Sequence, residues 1–243
     1  MRAAATRGLP VAAAVVATAA AWAALAGSSL GPPHQHASES GVSAFGLAVL
    51  MWQAMAVAMM TPTVVPWVSA YVTFVSSGRT SPWQAGASFA SGYFVAWLAY
   101  SAAMAGLQVL AGHVESVRAA LASPAFGGAA LLAAGLYQFV PSKAACLTHC
   151  RNPLGFFLAR WRSGPPGGFR LGLAHGAYCL GCCWLLMGTA LVLGLMNLAW
   201  MAVVTAIVVV EQLAPWGVAF GRAAGLGLAA WGMWLMAGPW LAG

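Results

Sequence analysis

Residues 171–196 read LGLAHGAYCLGCCWLLMGTALVLGLM, and this stretch decides the fold class of the chain. It contains no Asp, Glu, Lys or Arg, and it exceeds the roughly 20 apolar residues that an α-helix needs to cross a bilayer. Similar apolar segments lie near residues 9–27, 44–74, 84–111, 124–140, 198–213 and 216–240. We therefore predict an all-α, polytopic transmembrane bundle of about seven helices, or about six if the first is cleaved as a signal peptide.

The composition supports a membrane protein. The chain is 62% hydrophobic and only 5% charged, with a mean hydropathy of +0.83, whereas a soluble domain carries roughly 25% charged residues. We expect a first transmembrane helix or signal anchor at 1–30 and a single helical membrane domain at 31–243. Pro62 and Pro66 are expected to break the second helix, because proline removes a backbone donor. A cytoplasmic loop is expected near 142–170, with a flexible turn at Gly167 and Gly168.

Basic residues predict the orientation, because Lys and Arg collect in cytoplasmic loops. With seven spans and a cytoplasmic N-terminus, only Arg118 falls outside. The other basic residues then lie inside: Arg2, Arg7, Arg79, Lys143, Arg151, Arg160, Arg162, Arg170 and Arg222. The net charge of +7 is explained by orientation and by attraction to anionic lipid headgroups, so it requires no nucleic-acid partner.

All five cysteines fall into two clusters. Cys146 and Cys150 are four residues apart, so a helix there would place both thiols, and nearly His149, on one face. The second cluster is a one-sided stripe of His175, Cys179, Cys182 and Cys183, and Cys179 is expected about 12–15 Å below the cytoplasmic surface. Thiols are soft, redox-active ligands, so the clusters predict metal or electron chemistry. The sequence leaves open whether they form one site or two stations along a path.

Two further features are candidates for the same pathway. Met55 and Met59 continue a methionine row that starts at Met51, and thioethers suit Cu(I). Methionine also fills gaps in ordinary cores, so the packing interpretation stays open. Glu211 ends an apolar run, where a carboxylate is costly unless it is paired or wetted. It is expected either to neutralise Lys143 or an arginine, or to help bind a cation or proton.

Four ordered blocks carry a family resemblance. The blocks contain the patterns AMMxP, PxKxxCLxxCRxP and YCxGCCWxLM. They are Trp52 to Pro62 with Pro66, Tyr137 to Pro153, Gly172 to Met187, and Met196 to Met201 followed by Glu211. They resemble a bacterial family of predicted metal-binding integral membrane proteins, catalogued as a domain of unknown function, over roughly residues 44–240. The resemblance implies metal binding in a bacterial inner membrane and leaves the substrate open. One departure is Gln212, where the family pattern has a lysine, which argues against a fixed ion pair there.

The leading hypothesis is a membrane protein that handles a soft transition metal, copper or else zinc, as a transporter or as a delivery factor. Cys179, Cys182 and Cys183 would be the primary ligands, with Cys146 and Cys150 as a cytoplasmic donor or acceptor pair. His175 and His149 would tune the choice of metal, and Met55 and Met59 would line its approach. Lys143 and Arg151 would lower the pKa values of the nearby thiols. Pro62 would break the second helix so that its backbone can line a cavity.

The expected partners are the lipid bilayer, the metal ion, and a metallochaperone or a metalloenzyme under assembly. One alternative is a transmembrane thiol-disulfide oxidoreductase that uses the two cysteine clusters. A second is a non-catalytic membrane assembly subunit whose cysteines are structural. The chain has no Walker loop, nucleophile elbow or zinc-protease motif, so ATP-driven transport and hydrolysis have no support.

Overall fold

The computed structural model describes residues 16, 18–23, 27, 41–75, 81–193 and 197–241. Its helices are α1 (Gly41–Val75), α2 (Pro82–His113), α3 (Glu115–Leu121), α4 (Pro124–Tyr137), α5 (Pro141–Arg151), α6 (Pro153–Arg160), α7 (Gly164–Gly188), α8 (Ala190–Leu193), α9 (Leu198–Leu213) and α10 (Gly217–Leu241). No strand occurs in these ranges, which confirms the all-α prediction for them. Each predicted apolar segment after the first overlaps a helix. Most of the first segment lies outside the described residues, as do Arg2, Arg7, Arg79 and Met196.

Three stretches of the described chain are helical, long and apolar enough to cross a membrane. They are Ser43–Val75 in α1, all of α2, and Gly164–Leu193 across α7 and α8. A fourth is obtained if α3 and α4, which meet at a bend of 62°, form one broken span. These helices are consistent with a membrane protein. The arrangement of about seven spans and the cytoplasmic N-terminus stay predictions.

The prediction that proline breaks the second span is wrong. Pro62 and Pro66 both lie inside α1, a continuous helix of 35 residues. Proline has no amide hydrogen, so Pro62 leaves the carbonyl of Ala58 without its helical donor. The indole nitrogen of Trp22 donates to that carbonyl at 3.0 Å. The missing backbone bond is thus replaced by a side chain, and the helix continues.

The segment predicted as a turn at Gly167 and Gly168 is instead the first part of α7. Pro165 and Pro166 stand in the first turn of this helix, where an amide hydrogen has no helical partner and proline is well tolerated. Because α7 begins at Gly164, Cys179 lies about 22 Å along the helix axis from that end, at about 1.5 Å per residue. The helix therefore begins before the apolar segment that starts at residue 171.

Small residues allow α2 and α7 to pack with their backbones almost in contact. A side chain at Gly172 would collide with the carbonyl oxygen of Phe89, and one at Gly92 would collide with the backbone of Phe169. Close packing through small residues is typical of helix pairs in membranes. The packing brings the cysteine face of α7 against α2.

The predicted loop near 142–170 is largely helical. It contains α6 and most of α5, and α5 packs against α7 and α9. The ring of Trp67 on α1 meets the rings of Phe156 and Phe157 edge-on, at centroid distances of 5.4 and 5.6 Å. These aromatic contacts hold α6 against the long helix α1.

Candidate metal centre

Three cysteines of α7 form a compact group of thiols. The Sγ atoms of Cys179, Cys182 and Cys183 all lie within 4.8 Å of one another, and all three residues are buried. Positions i, i+3 and i+4 share one face of a helix, which is why the sequence stripe becomes a cluster. The S–H groups of Cys182 and Cys183 donate to the carbonyl of Cys179 at 3.1 and 2.9 Å. These bonds fix the directions of both side chains.

Helix α5 brings the second cysteine cluster to the first. The thiol of Cys150 lies beside those of Cys179 and Cys182, which raise its pKa, and the indole nitrogen of Trp67 donates to the Cys150 carbonyl at 3.1 Å. Cys146 is half-buried and lies over Gly181, where an added Cβ would be 2.6 Å from its Sγ. The two cysteine clusters of the sequence therefore lie side by side where α5 packs against α7.

Two polar side chains from other helices reach the thiols. The hydroxyl of Tyr93 on α2 lies 3.2 Å from the Sγ of Cys179. The amide nitrogen of Gln212 on α9 donates to Cys179 at 3.4 Å and to Cys182 at 3.5 Å. Sequence reasoning missed both roles. In the sequence, Gln212 is only a departure from a family pattern, and nothing near Tyr93 indicates a contact with a cysteine.

His175 lies one turn before Cys179 but is not a member of the compact thiol group. Its imidazole is buried and stacks on Trp67 at a centroid distance of 3.8 Å, with the ring of Tyr93 at 5.4 Å. Neither ring nitrogen has a hydrogen-bond partner within the described part of the chain. An unpaired buried polar group is costly, so His175 retains free donor and acceptor capacity beside the thiols.

The other predicted ligands lie outside the compact group. His149 is exposed, and its ring stacks on Tyr178 at a centroid distance of 4.3 Å. Met55 and Met59 are fully buried in the hydrophobic core. Core packing accounts for both methionines, and lining of a metal route by them remains a proposal.

The basic residues near the thiols are engaged elsewhere. Lys143 forms a buried ion pair with Glu211 at 2.8 Å. A fixed ion pair therefore exists at Glu211, although residue 212 is a glutamine and not the lysine of the family pattern. Arg151 donates to the carbonyl oxygens of Glu211 and Pro215. For the two α5 thiols, the expectation that Lys143 and Arg151 lower the pKa is wrong. Burial raises the pKa of the Cys146 thiol.

The pKa of Cys150 is also raised, by its hydrogen bonds to Cys179 and Cys182 and then by burial. The α5 thiols are therefore protonated at neutral pH.

Together these features define a class of protein: all-helical, with helices of membrane length, and with a buried group of thiols suited to a soft metal ion. The model of the PpoB2 family, described as copper chaperone, matches residues 49–235, and the chain belongs to this family. The matched range includes all five cysteines. No curated protein and no solved structure matches the chain. The metal-related part of the resemblance seen in the sequence is confirmed, with copper as the metal that the family description names.

Proposed function

We propose that this protein is a membrane-embedded copper chaperone that holds Cu(I) on Cys179, Cys182 and Cys183 and exchanges it with a partner through Cys150 and Cys146. Copper is the cargo and is not a resident cofactor. The observation that carries the proposal is the buried thiol group, in which three Sγ atoms lie within 4.8 Å of one another.

The spacing of the thiols suits one soft ion. With metal–sulfur bonds of about 2.3 Å, three coplanar thiolates around a single ion are about 4.0 Å apart. The sulfurs of Cys179, Cys182 and Cys183 need to contract by less than about 1 Å from their upper separation of 4.8 Å. An all-sulfur donor set favours Cu(I) over harder ions. Zinc also accepts thiolates, so it is the competing ion that a binding experiment must include.

The surroundings of the thiols support a bound anionic complex. Three thiolates around Cu(I) carry a net charge of −2, which is expensive to bury without hydrogen-bond donors. Gln212 and Tyr93 reach the sulfurs at 3.2–3.5 Å. Donors of this kind stabilise thiolate charge without introducing a competing ligand.

Exchange of the ion would run along α5. Cys150 is buried beside the thiols of Cys179 and Cys182, whereas Cys146, one helical turn earlier, is half-buried. Copper would therefore move by replacement of one thiolate at a time, from the buried group to Cys146 and then to a metallochaperone or a metalloenzyme under assembly. The membrane in question would be a bacterial inner membrane, with the N-terminus and Cys146 on the cytoplasmic side.

One observation also favours a thiol-disulfide oxidoreductase. The Cys150 thiol lies within hydrogen-bonding reach of Cys179 and Cys182 on another helix, and a small movement would allow a disulfide between α5 and α7. The two functions differ in the state of the thiols. A chaperone keeps them reduced while copper is carried, whereas an oxidoreductase cycles them during turnover.

The test is metal analysis of reduced, detergent-purified protein after loading with Cu(I) or Zn(II), combined with a count of free thiols. The wild type should retain about one copper per chain, and the triple variant Cys179→Ser, Cys182→Ser, Cys183→Ser should retain none. Met233→Leu serves as a control that removes a sulfur atom at an exposed position of α10. Absence of copper from the reduced wild type, or loss of two thiols per turnover with a quinone or thiol oxidant, would refute the proposal.

A further inference from the structure

A basic cleft lies at the junction of α6 and α7, on a part of the molecule that the copper site does not use. It has a volume of about 580 Å³, and its lining includes Arg160, Trp161, Arg162 and Arg170. Arg162 and Arg170 are exposed. The cleft therefore presents three guanidinium groups and one indole ring in a small space.

No carboxylate neutralises this cleft within the described part of the chain. The ion pairs of the described residues are Arg118 with Glu115 and Lys143 with Glu211, and neither pair includes a residue of the cleft. Arg160 is positioned by neutral groups: it donates to the hydroxyl of Tyr178 at 2.6 Å and lies over that ring at 5.2 Å. Guanidinium groups held in one place without a counter-ion form a site for phosphate or carboxylate oxygens.

The surface beside the cleft is apolar on one side. On α6, Leu154 and Leu158 point outward with 64% and 68% exposure, while Phe156 and Phe157 are buried. The two leucines are one helical turn apart, so α6 has an inner aromatic face and an outer aliphatic face. Its last residue is Arg160, and Trp161 follows with 42% exposure. A short helix with outward leucines and a basic, aromatic end is typical of a segment that lies in the membrane interface.

The cleft also marks the end of a helix of membrane length. α7 begins at Gly164, and Arg170 lies about 9 Å further along its axis, at about 1.5 Å per residue. An exposed arginine at this depth extends its side chain towards the headgroup layer. Acyl chains would then meet the outer face of α6, and headgroups would meet the arginines.

We propose that this cleft binds the phosphate headgroup of an anionic phospholipid. Arg160, Arg162 and Arg170 contact the phosphate and the second anionic or hydroxyl group of the headgroup, and Leu154 and Leu158 contact the acyl chains. The inference rests on the membrane placement in the proposed function, and it is independent of copper binding. Basic pockets beside membrane helices recognise anionic lipids through the same combination of charge and apolar surface.

The experiment measures phosphatidylglycerol binding to the full-length protein in detergent by native mass spectrometry. The double variant Arg162→Gln, Arg170→Gln should bind this lipid about 25-fold more weakly, since each basic residue near a headgroup contributes about a fivefold change. The matched control Arg118→Gln, Arg222→Gln loses the same charge at sites outside the cleft and should bind within about twofold of the wild type. Copper content should be equal in all variants, which separates this inference from the proposed function.

Three outcomes would overturn the inference. Equal weakening in both double variants would mean that the lipid responds to net charge alone. Binding of glycerol phosphate or inorganic phosphate as tightly as phosphatidylglycerol would mean that the ligand is a soluble phosphate. Binding of an acidic peptide such as polyglutamate in preference to the lipid would mean that the cleft receives a protein partner. The variant Arg162→Lys, Arg170→Lys keeps the charge and serves as a control for loss of fold. Its affinity for the lipid should lie between those of the wild type and the glutamine variant.

Discussion

Replacement of Gln212 by leucine is expected to weaken Cu(I) binding by about tenfold while the fold stays intact. The side chain is buried, and its amide nitrogen donates to the sulfurs of Cys179 and Cys182 at 3.4 and 3.5 Å. In the copper complex these sulfurs are thiolates, so both bonds become charge-assisted. Leucine has a similar volume and offers no donor, so the variant isolates the hydrogen bonds from packing.

The magnitude follows from the geometry. A hydrogen bond to a charged group contributes about 1.5–3 kcal/mol. Both contacts of Gln212 are long and share one nitrogen, so we take the lower end for the pair, about 1.5 kcal/mol, which corresponds to about tenfold in affinity. The metal-free protein should lose little, because the Oε1 atom of Gln212 already lacks a partner in the described part of the chain.

The assay is an anaerobic competition titration of Cu(I) against a chromogenic chelator, with thermal unfolding of the metal-free protein as the measure of fold. Gln212→Glu should lose more affinity than Gln212→Leu, because a carboxylate repels the thiolates. Gln53→Leu removes a partly buried amide that bonds Phe94 and Ser101, and it should leave the affinity unchanged. Equal affinities for the wild type and Gln212→Leu would refute the assignment of this amide to the copper site.

Three further changes have expected outcomes. Cys146→Ser should retain about one copper per chain but pass it to an acceptor thiol protein at least about tenfold more slowly, as followed by transfer of copper in stopped-flow mixing; unchanged transfer would exclude Cys146 from the route. Glu211→Gln leaves Lys143 buried without its counter-charge and should lower the free energy of unfolding by about 3–5 kcal/mol, whereas Glu115→Gln, in an exposed pair, should leave the unfolding transition in place. Gly172→Ala should destabilise the packing of α2 on α7 by about 1–3 kcal/mol, while Gly106→Ala, with open space around it, should not; equal melting temperatures for the two would contradict the close approach.

The sequence predicted the helical class and the stripe of thiols because both follow from local periodicity. Residues 171–196 contain no charged residue, and the spacing of Cys179, Cys182 and Cys183 places three sulfurs on one face whatever surrounds the helix. The approach of Cys150 to this group could not be predicted from the sequence. Its place depends on how α5 packs against α7 and α9, which is a tertiary contact without a local signal.

Two errors have clear physical origins. Pro62 was expected to end a helix, but the carbonyl that it leaves unpaired accepts a hydrogen bond from Trp22, a residue far away in the chain. The GPPGG segment resembles a turn, yet its prolines stand in the first turn of α7, and Gly168 lies in close contact with Ser88 of α2 and Tyr71 of α1. In both cases a distant partner outweighs the local preference of proline or glycine.

The end of α9 connects both cysteine-bearing helices through two consecutive residues. Glu211 pairs with Lys143 of α5 at 2.8 Å, and Gln212 donates to the thiols of α7. A rotation or shift of α9 would therefore disturb the position of α5 and the hydrogen bonds to sulfur together. We expect this buried ion pair to fix the register in which Gln212 faces the thiols and Cys150 lies beside Cys179. Glu211 would then act on the site by positioning its neighbours, through its contact with Lys143.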